Sequence, residues 1–176
     1  PHQIKAQNIN PYLVDAPNLV LTNRSTPICS VPQIGIGNKP IDDGNYLFTE
    51  EEKNSFLEKE PQAAPYFRRW LGADEFLNGY HRYCLWLGDC SPSELKKMPE
   101  ALKRVEAVKK FRLASKSTPT RKLAETPTRF HVENMPKMSF LLVPEVSSER
   151  RYYIPIGFEI PKTLCSNLVK IAPDAK

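Results

Sequence analysis

The chain has 176 residues, 40% apolar and 26% charged, with 25 Lys and Arg against 20 Asp and Glu for a net charge of +5. That length and apolar fraction suit one folded domain with a real core, and no apolar run approaches the roughly 18 residues that a membrane-spanning helix needs. A soluble, cytoplasmic fragment of something longer is therefore expected, since the chain opens at Pro1 with no charged-then-apolar leader.

Residues 1–45 are rich in Pro, Asn and Gly, and the apolar runs at residues 19–21 and 31–36 are expected to be strands separated by turns. Residues 37–45 concentrate turn formers around Lys39 in a tight loop. Thr49 ahead of Glu50, Glu51 and Glu52 caps a helix that carries Phe56 and Leu57 and ends at Pro61. A second short helix is expected over residues 64–71. Asn78-Gly79, a hairpin formula, then leads into residues 82–87, an alternating strand with Cys84 and Trp86 on one side and Tyr83, Leu85 and Leu87 on the other.

Ser91-Pro92-Ser93-Glu94 combines a capping box with Pro at the first helical position. It opens the longest helix, which restarts at Pro99 and runs to about Lys116. Leu95, Met98, Leu102, Val105 and Val108 form its buried face, and Lys96, Lys103 and Lys110, widened by Lys97 and Arg104, form a basic stripe. The basic character of the chain resides here: residues 82–151 carry +7, against −3 before them and +1 after. Farther on, residues 140–143 and 150–157 read as strands with a polar connection. The fold expected over residues 1–176 is a single α+β domain of mixed sheet, short helices, one long basic helix and many loops.

Catalytic constellations are missing from this pattern. There is no GxGxxG or GxxxxGK[ST] phosphate loop, no GxSxG elbow, and no histidine set beside a serine or cysteine by a recognisable spacing. Cys29, Cys84, Cys90 and Cys165 form no CxxC pair, and His2, His81 and His131 form no ligand pair, which argues for reduced thiols and against a metal site. Asp42-Asp43-Gly44 is a turn formula whose adjacent acids diverge.

Six stretches in order carry a resemblance: Asn10-Pro11-Tyr12-Leu13-Val14, Gly37-Asn38-Lys39-Pro40, Phe76-Leu77-Asn78-Gly79, Arg82-Tyr83-Cys84-Leu85-Trp86-Leu87, Thr120-Arg121-Lys122-Leu123-Ala124, and the run from Val146 to Pro155. Together they resemble the target-recognition domain of MmeI-like type II restriction-modification enzymes, adenine-specific DNA methyltransferases fused to a nuclease. The resemblance implies a module that selects a double-stranded DNA sequence and lacks catalysis and cofactor of its own. A methyltransferase domain of the same parent chain would bind S-adenosylmethionine and flip the adenine. The chain accordingly holds no Asn-Pro-Pro-aromatic tetrapeptide, and the family pattern continues past Lys176.

By that resemblance the base readers fall at Tyr80 and His81 and within residues 113–117, chiefly Ser115, Lys116 and Ser117. Lys39, Lys110, Arg121, Lys122, Arg150 and Arg151 are the expected phosphate contacts. Bidentate base readers are usually Arg, Asn or Glu, so Tyr, His, Ser and one Lys leave room for readout through water or DNA shape. Two other classes compete: an interdomain protein-interaction module with a merely solvated basic stripe, and an RNA-binding domain using Tyr80, Tyr152 and Tyr153 to stack bases.

Overall fold

The structure is a computed structural model that describes residues 5–20 and 22–173. The chain divides into two units, one up to Val31 and one from Pro32 onward. In the first, Asn10 Oδ1 accepts the amides of Tyr12 and Val14 at 2.9 and 3.2 Å, and the Asp15 carboxylate accepts those of Gln7 and Asn8. These local bonds compete with ladder formation. Leu19 and Val20 form no strand and are exposed, while Leu21 lies outside the described residues.

In the second unit the run at residues 31–36 contributes only β1 (Gly35–Ile36). There follow β2 (Leu47–Phe48), α1 (Glu50–Lys59), a 3₁₀ turn over Pro61–Tyr66, and β3 (Phe67–Leu71). The middle of the chain holds α2 (Ala73–Asn78), β4 (Arg82–Leu85), α3 (Pro92–Leu95), α4 (Pro99–Leu113) and α5 (Thr118–Lys122). Four strands close it: β5 (Phe140–Pro144), β6 (Gly157–Glu159), β7 (Thr163–Cys165) and β8 (Val169–Pro173). The architecture is α+β. One sheet, in the order β1-β8-β5-β6, is antiparallel, and the other, β2-β4-β3-β7, is mixed, because β3 runs parallel to β7.

The anticipated cap at Thr49 and capping box at Ser91 both form, and the Thr49 cap is itself a full capping box. Thr49 Oγ1 accepts the Glu52 amide while the Glu52 carboxylate accepts the Thr49 amide at 2.7 Å, and Ser91 and Glu94 repeat the arrangement at the start of α3. The restart at Pro99 is equally clear, with α3 and α4 as separate helices. Met98, Ala101, Val105 and Val108 are buried along α4, and Leu95 and Leu102 only partly so.

Three expectations fail for tertiary reasons. Residues 64–71 split into the end of the 3₁₀ turn and β3, because β3 is a central strand with ladders to β4 and β7 on its two sides. Asn78-Gly79 makes no two-residue hairpin. Gly79, at φ 72°, is the left-handed C-cap of α2, and its amide donates to Glu75 O at 2.9 Å. β4 lies antiparallel between β2 and β3, and α2 forms the connection from β3 to β4. Residues 150–156 are irregular and exposed or half-exposed, and the strand begins only at Gly157.

A long-range contact caps α4. Met98, at its N-cap position, supplies no side-chain acceptor. The buried carboxylate of Glu60, at the end of α1, instead accepts the amides of Glu100 and Ala101 at 2.7 and 2.9 Å. A negative charge on first-turn amides satisfies orphan donors and complements the helix dipole. Glu60→Gln is therefore expected to lower stability by about 1–2 kcal/mol, measured by urea unfolding. A variant as stable as the parent would show that the cap contributes nothing.

Candidate nucleic-acid interface

The basic segment is organised around a residue that contacts solvent nowhere. Arg112, in the last turn of α4, is 0% exposed, and all five of its N–H groups donate to main-chain carbonyls. Nε bonds Ile41 O at 2.9 Å, Nη1 bonds Leu123 O and Thr126 O at 2.8 and 3.1 Å, and Nη2 bonds Pro40 O and Arg129 O, each at 2.8 Å. This guanidinium draws together the loop behind Lys39, the end of α4 and the chain after α5. Burial lowers its pKa, opposed by the nearby Tyr46 and Asp42. The Asp42 carboxylate accepts the Tyr46 amide at 2.8 Å, and the Tyr46 phenol donates to Pro127 O at 2.8 Å.

Around this hub lie several of the anticipated cations. Lys39, Lys110, Lys116 and Lys122 are exposed, and among the described residues none of them forms an ion pair. The anticipated stripe on the long helix is not uniform in this respect. Lys103 bonds Glu100 at 2.6 Å, and Arg104 donates to Asn45 O at 2.6 Å while stacking 4.1 Å over the Phe48 ring. Among the described residues Lys96 and Lys97 at the start of the stripe and Lys109 and Lys110 near its end are exposed and in no ion pair, and Lys116 and Lys122 continue this set beyond α4.

Residues 113–117 bridge α4 and α5. The Ser115 amide donates to Arg112 O at 3.2 Å, and the Ser117 amide donates to Ser115 Oγ at 3.2 Å. Arg121 turns back onto this bridge: Nη1 donates to Ser115 O and Lys116 O at 2.8 and 2.9 Å, and Nη2 donates to Thr118 Oγ1 at 2.8 Å. Ser115, Lys116, Ser117, Arg121 and Lys122 thus form one local unit.

Tyr80 and His81 sit elsewhere, on the short exposed link between α2 and β4. The Tyr80 phenol donates to the Asp74 carboxylate, and that bond pushes its pKa up to about 12. Glu75 anchors the link by accepting the Gly72 amide at 2.8 Å and facing Arg82 at 3.6 Å. A cleft of about 430 Å³ is lined by Pro40, Asp42, Asp74, Arg82, Val146 and Leu168, among others. Its walls are chain neighbours of Lys39 on one side, and of Tyr80 and His81 on another. Arg150 and Arg151 lie beyond Val146 in an exposed loop, where the amide of Arg150 donates to Ser148 Oγ and that of Arg151 to Ser148 O.

Sequence reasoning missed Arg112 and Glu60. The signal for Arg112 was its position: it continues the buried series Ala101, Val105 and Val108 at helical spacing, and a cation on an apolar face needs many acceptors. Glu60 had no such signal, since its partners lie 40 and 41 residues away.

Comparison with known proteins bears on this arrangement. The chain is 39% identical over 169 residues to DNA methyltransferase A of Bacillus subtilis (strain 168), a match that covers 96% of this chain and 19% of that protein. It is 47% identical to a solved chain of the type IIL restriction-modification enzyme MmeI in complex with DNA. The TM-score is 0.88, with 98% of this chain and 23% of that one covered. The chain thus spans about a fifth of the length of these relatives. Residues 15–176 match the family described as MmeI, target recognition domain, and the chain belongs to that family.

Proposed function

We propose that this domain reads a specific duplex DNA sequence and presents it to an adenine-specific, S-adenosylmethionine-dependent methyltransferase domain on the same longer, cytoplasmic chain. The observation that carries this reading is the group of exposed cations without acid partners at the end of α4 and around α5, tied by Arg112 to the Lys39 loop. A cation that finds no anion in its own fold is available to a phosphate, and the relative of known structure has DNA bound. Lys39, Lys110, Lys122, Arg150 and Arg151 contact phosphates in this reading, and Tyr80, His81, Ser115, Lys116 and Ser117 face base edges. S-adenosylmethionine belongs to the rest of the longer chain. Among the described residues no helix is long and apolar enough to cross a membrane.

The test uses duplex binding by the intact parent over a salt series. Lys110→Ala and Lys122→Ala are each expected to lower affinity for every sequence alike and to reduce the log–log salt slope by about one unit. Unchanged slopes in both variants would remove the phosphate assignment and favour an interdomain packing surface instead.

Lys116→Ala is expected to behave differently. A lysine in the major groove donates to guanine O6 and N7, and such a contact discriminates by about 1–3 kcal/mol against the wrong base. Methylation of duplexes altered one base pair at a time should then show relaxation at a single position. Uniform slowing at all of them would reduce Lys116 to a charge near the backbone.

A further inference from the structure

We propose that Arg121 is a positioning residue for base recognition, holding the backbone of Ser115 and Lys116 so that the side chains of residues 115–117 meet DNA in one register. The inference rests on the reading that these residues face base edges, and it gives Arg121 a task other than phosphate contact. Helix α4 ends at Leu113, and the last carbonyls of a helix and those just past it have no intrahelical donor. Ser115 O and Lys116 O accept from the Arg121 guanidinium at 2.8 and 2.9 Å, and the same fork reaches Thr118 Oγ1 at 2.8 Å. Three of its five N–H groups are thereby engaged within six residues of chain.

The chemistry of the clamp is specific to a guanidinium. Two carbonyls and a hydroxyl are met by one planar fork, which a lysine ammonium on a flexible stem does not reproduce. The bridge is made of small residues, Ala114, Ser115 and Ser117, around Lys116. Left unbraced, it would sample many backbone conformations, and their ordering would oppose every DNA complex that uses it. A bridge already ordered in the free protein keeps the difference between right and wrong base pairs undiluted by loop adjustment. Clamp and reader are also separated chemically, because Arg121 binds main-chain oxygens and leaves the Lys116 ammonium, exposed and without an ion-pair partner, free to face outward.

Arg121→Lys separates this role from a phosphate contact, since the charge stays and the fork is lost. In the intact parent chain, two readouts are taken for Arg121→Lys and Arg121→Ala: amide hydrogen exchange over residues 115–118 without DNA, and methylation of matched duplexes against duplexes changed at one base pair. The expected result for Arg121→Lys is about tenfold faster exchange of the bridge and about tenfold weaker discrimination at the base pair that Lys116→Ala relaxes, with the salt slope unchanged. Exchange at the parent rate in Arg121→Lys overturns the clamp, whatever the bridge reads. Fast exchange with discrimination intact overturns the role in recognition. If Lys116→Ala also leaves discrimination intact, that second failure is traced to the base-reading assignment and not to the clamp. Arg121→Ala that weakens all duplexes equally, with Arg121→Lys like the parent in both readouts, returns Arg121 to a phosphate contact.

Discussion

Arg112→Met is expected to destabilise this chain by about 4 kcal/mol, because it strips the donor from five carbonyls at once and each buried acceptor left unpaired costs about 1–3 kcal/mol before water recovers part of it. The carbonyls belong to Pro40 and Ile41 in one segment and to Leu123, Thr126 and Arg129 in another, so the loss loosens both from the end of α4. Met keeps the apolar stem of Arg112 packed on α4 but lacks the guanidinium head, so the loss combines the five missing hydrogen bonds with a small cavity. Arg112→Lys should restore only a minor part, since one ammonium has three donors on a single nitrogen and the acceptors surround a planar group. Denaturant unfolding of both variants decides it. If either is within about 1 kcal/mol of the parent, the hub is not what joins the Lys39 loop to α4 and α5. Because those segments carry Lys39, Lys110 and Lys122, a milder loss of fold in Arg112→Lys should also appear as weaker binding to all duplexes.

The second large effect is expected at Trp86. Its side chain is 3% exposed, its ring meets Phe130 edge-on at 4.7 Å, and its indole N–H donates to Asp89 Oδ2 at 2.8 Å. The Arg129 guanidinium stacks 5.4 Å from the ring, and a Cβ at Gly88 would collide with it. Trp86→Ala removes a large buried ring and leaves Asp89 without its donor, for an expected loss of about 3–5 kcal/mol. At about 2–4 °C per kcal/mol for a chain of this size, the midpoint of thermal unfolding should fall by roughly 10 °C. An unchanged midpoint would show that the ring contributes nothing. The strand that delivers Trp86 also carries the Tyr80–His81 link at its other end, so the loss should reach DNA binding through the fold rather than through a contact.

Trp86 also illustrates what a two-residue period conveys. Alternation correctly marked Cys84 and Trp86 as core, yet Leu85 and Leu87 on the opposite side are buried just as completely. Both faces of the strand are buried within one apolar cluster that also draws side chains from α1, the 3₁₀ turn before β3, α4 and Phe130, and a sequence does not specify which elements will cover the second face.

Sequence alone determined the features that depend on neighbours along the chain: the cap at Thr49, the capping box at Ser91, the restart at Pro99, the buried helical series through Val105 and Val108, and six ordered motifs specific enough to indicate the family. Each rests on side chains within a few residues of one another, where helical spacing or cap chemistry sets the outcome. Tertiary structure decided everything that required distant segments to meet. Residues 67–71 became a strand because β4 and β7 flank it, and Asn78-Gly79 became a helix cap because α2 connects β3 to β4. Glu60 became the cap of a helix 40 residues away, and Arg112, one of many cations in the basic segment, became the buried joint of the site. The physical reason is common to all four. A charged or ambiguous residue takes its role from the acceptors and donors that folding brings to it, and those partners were 11 to 72 residues away from Arg112.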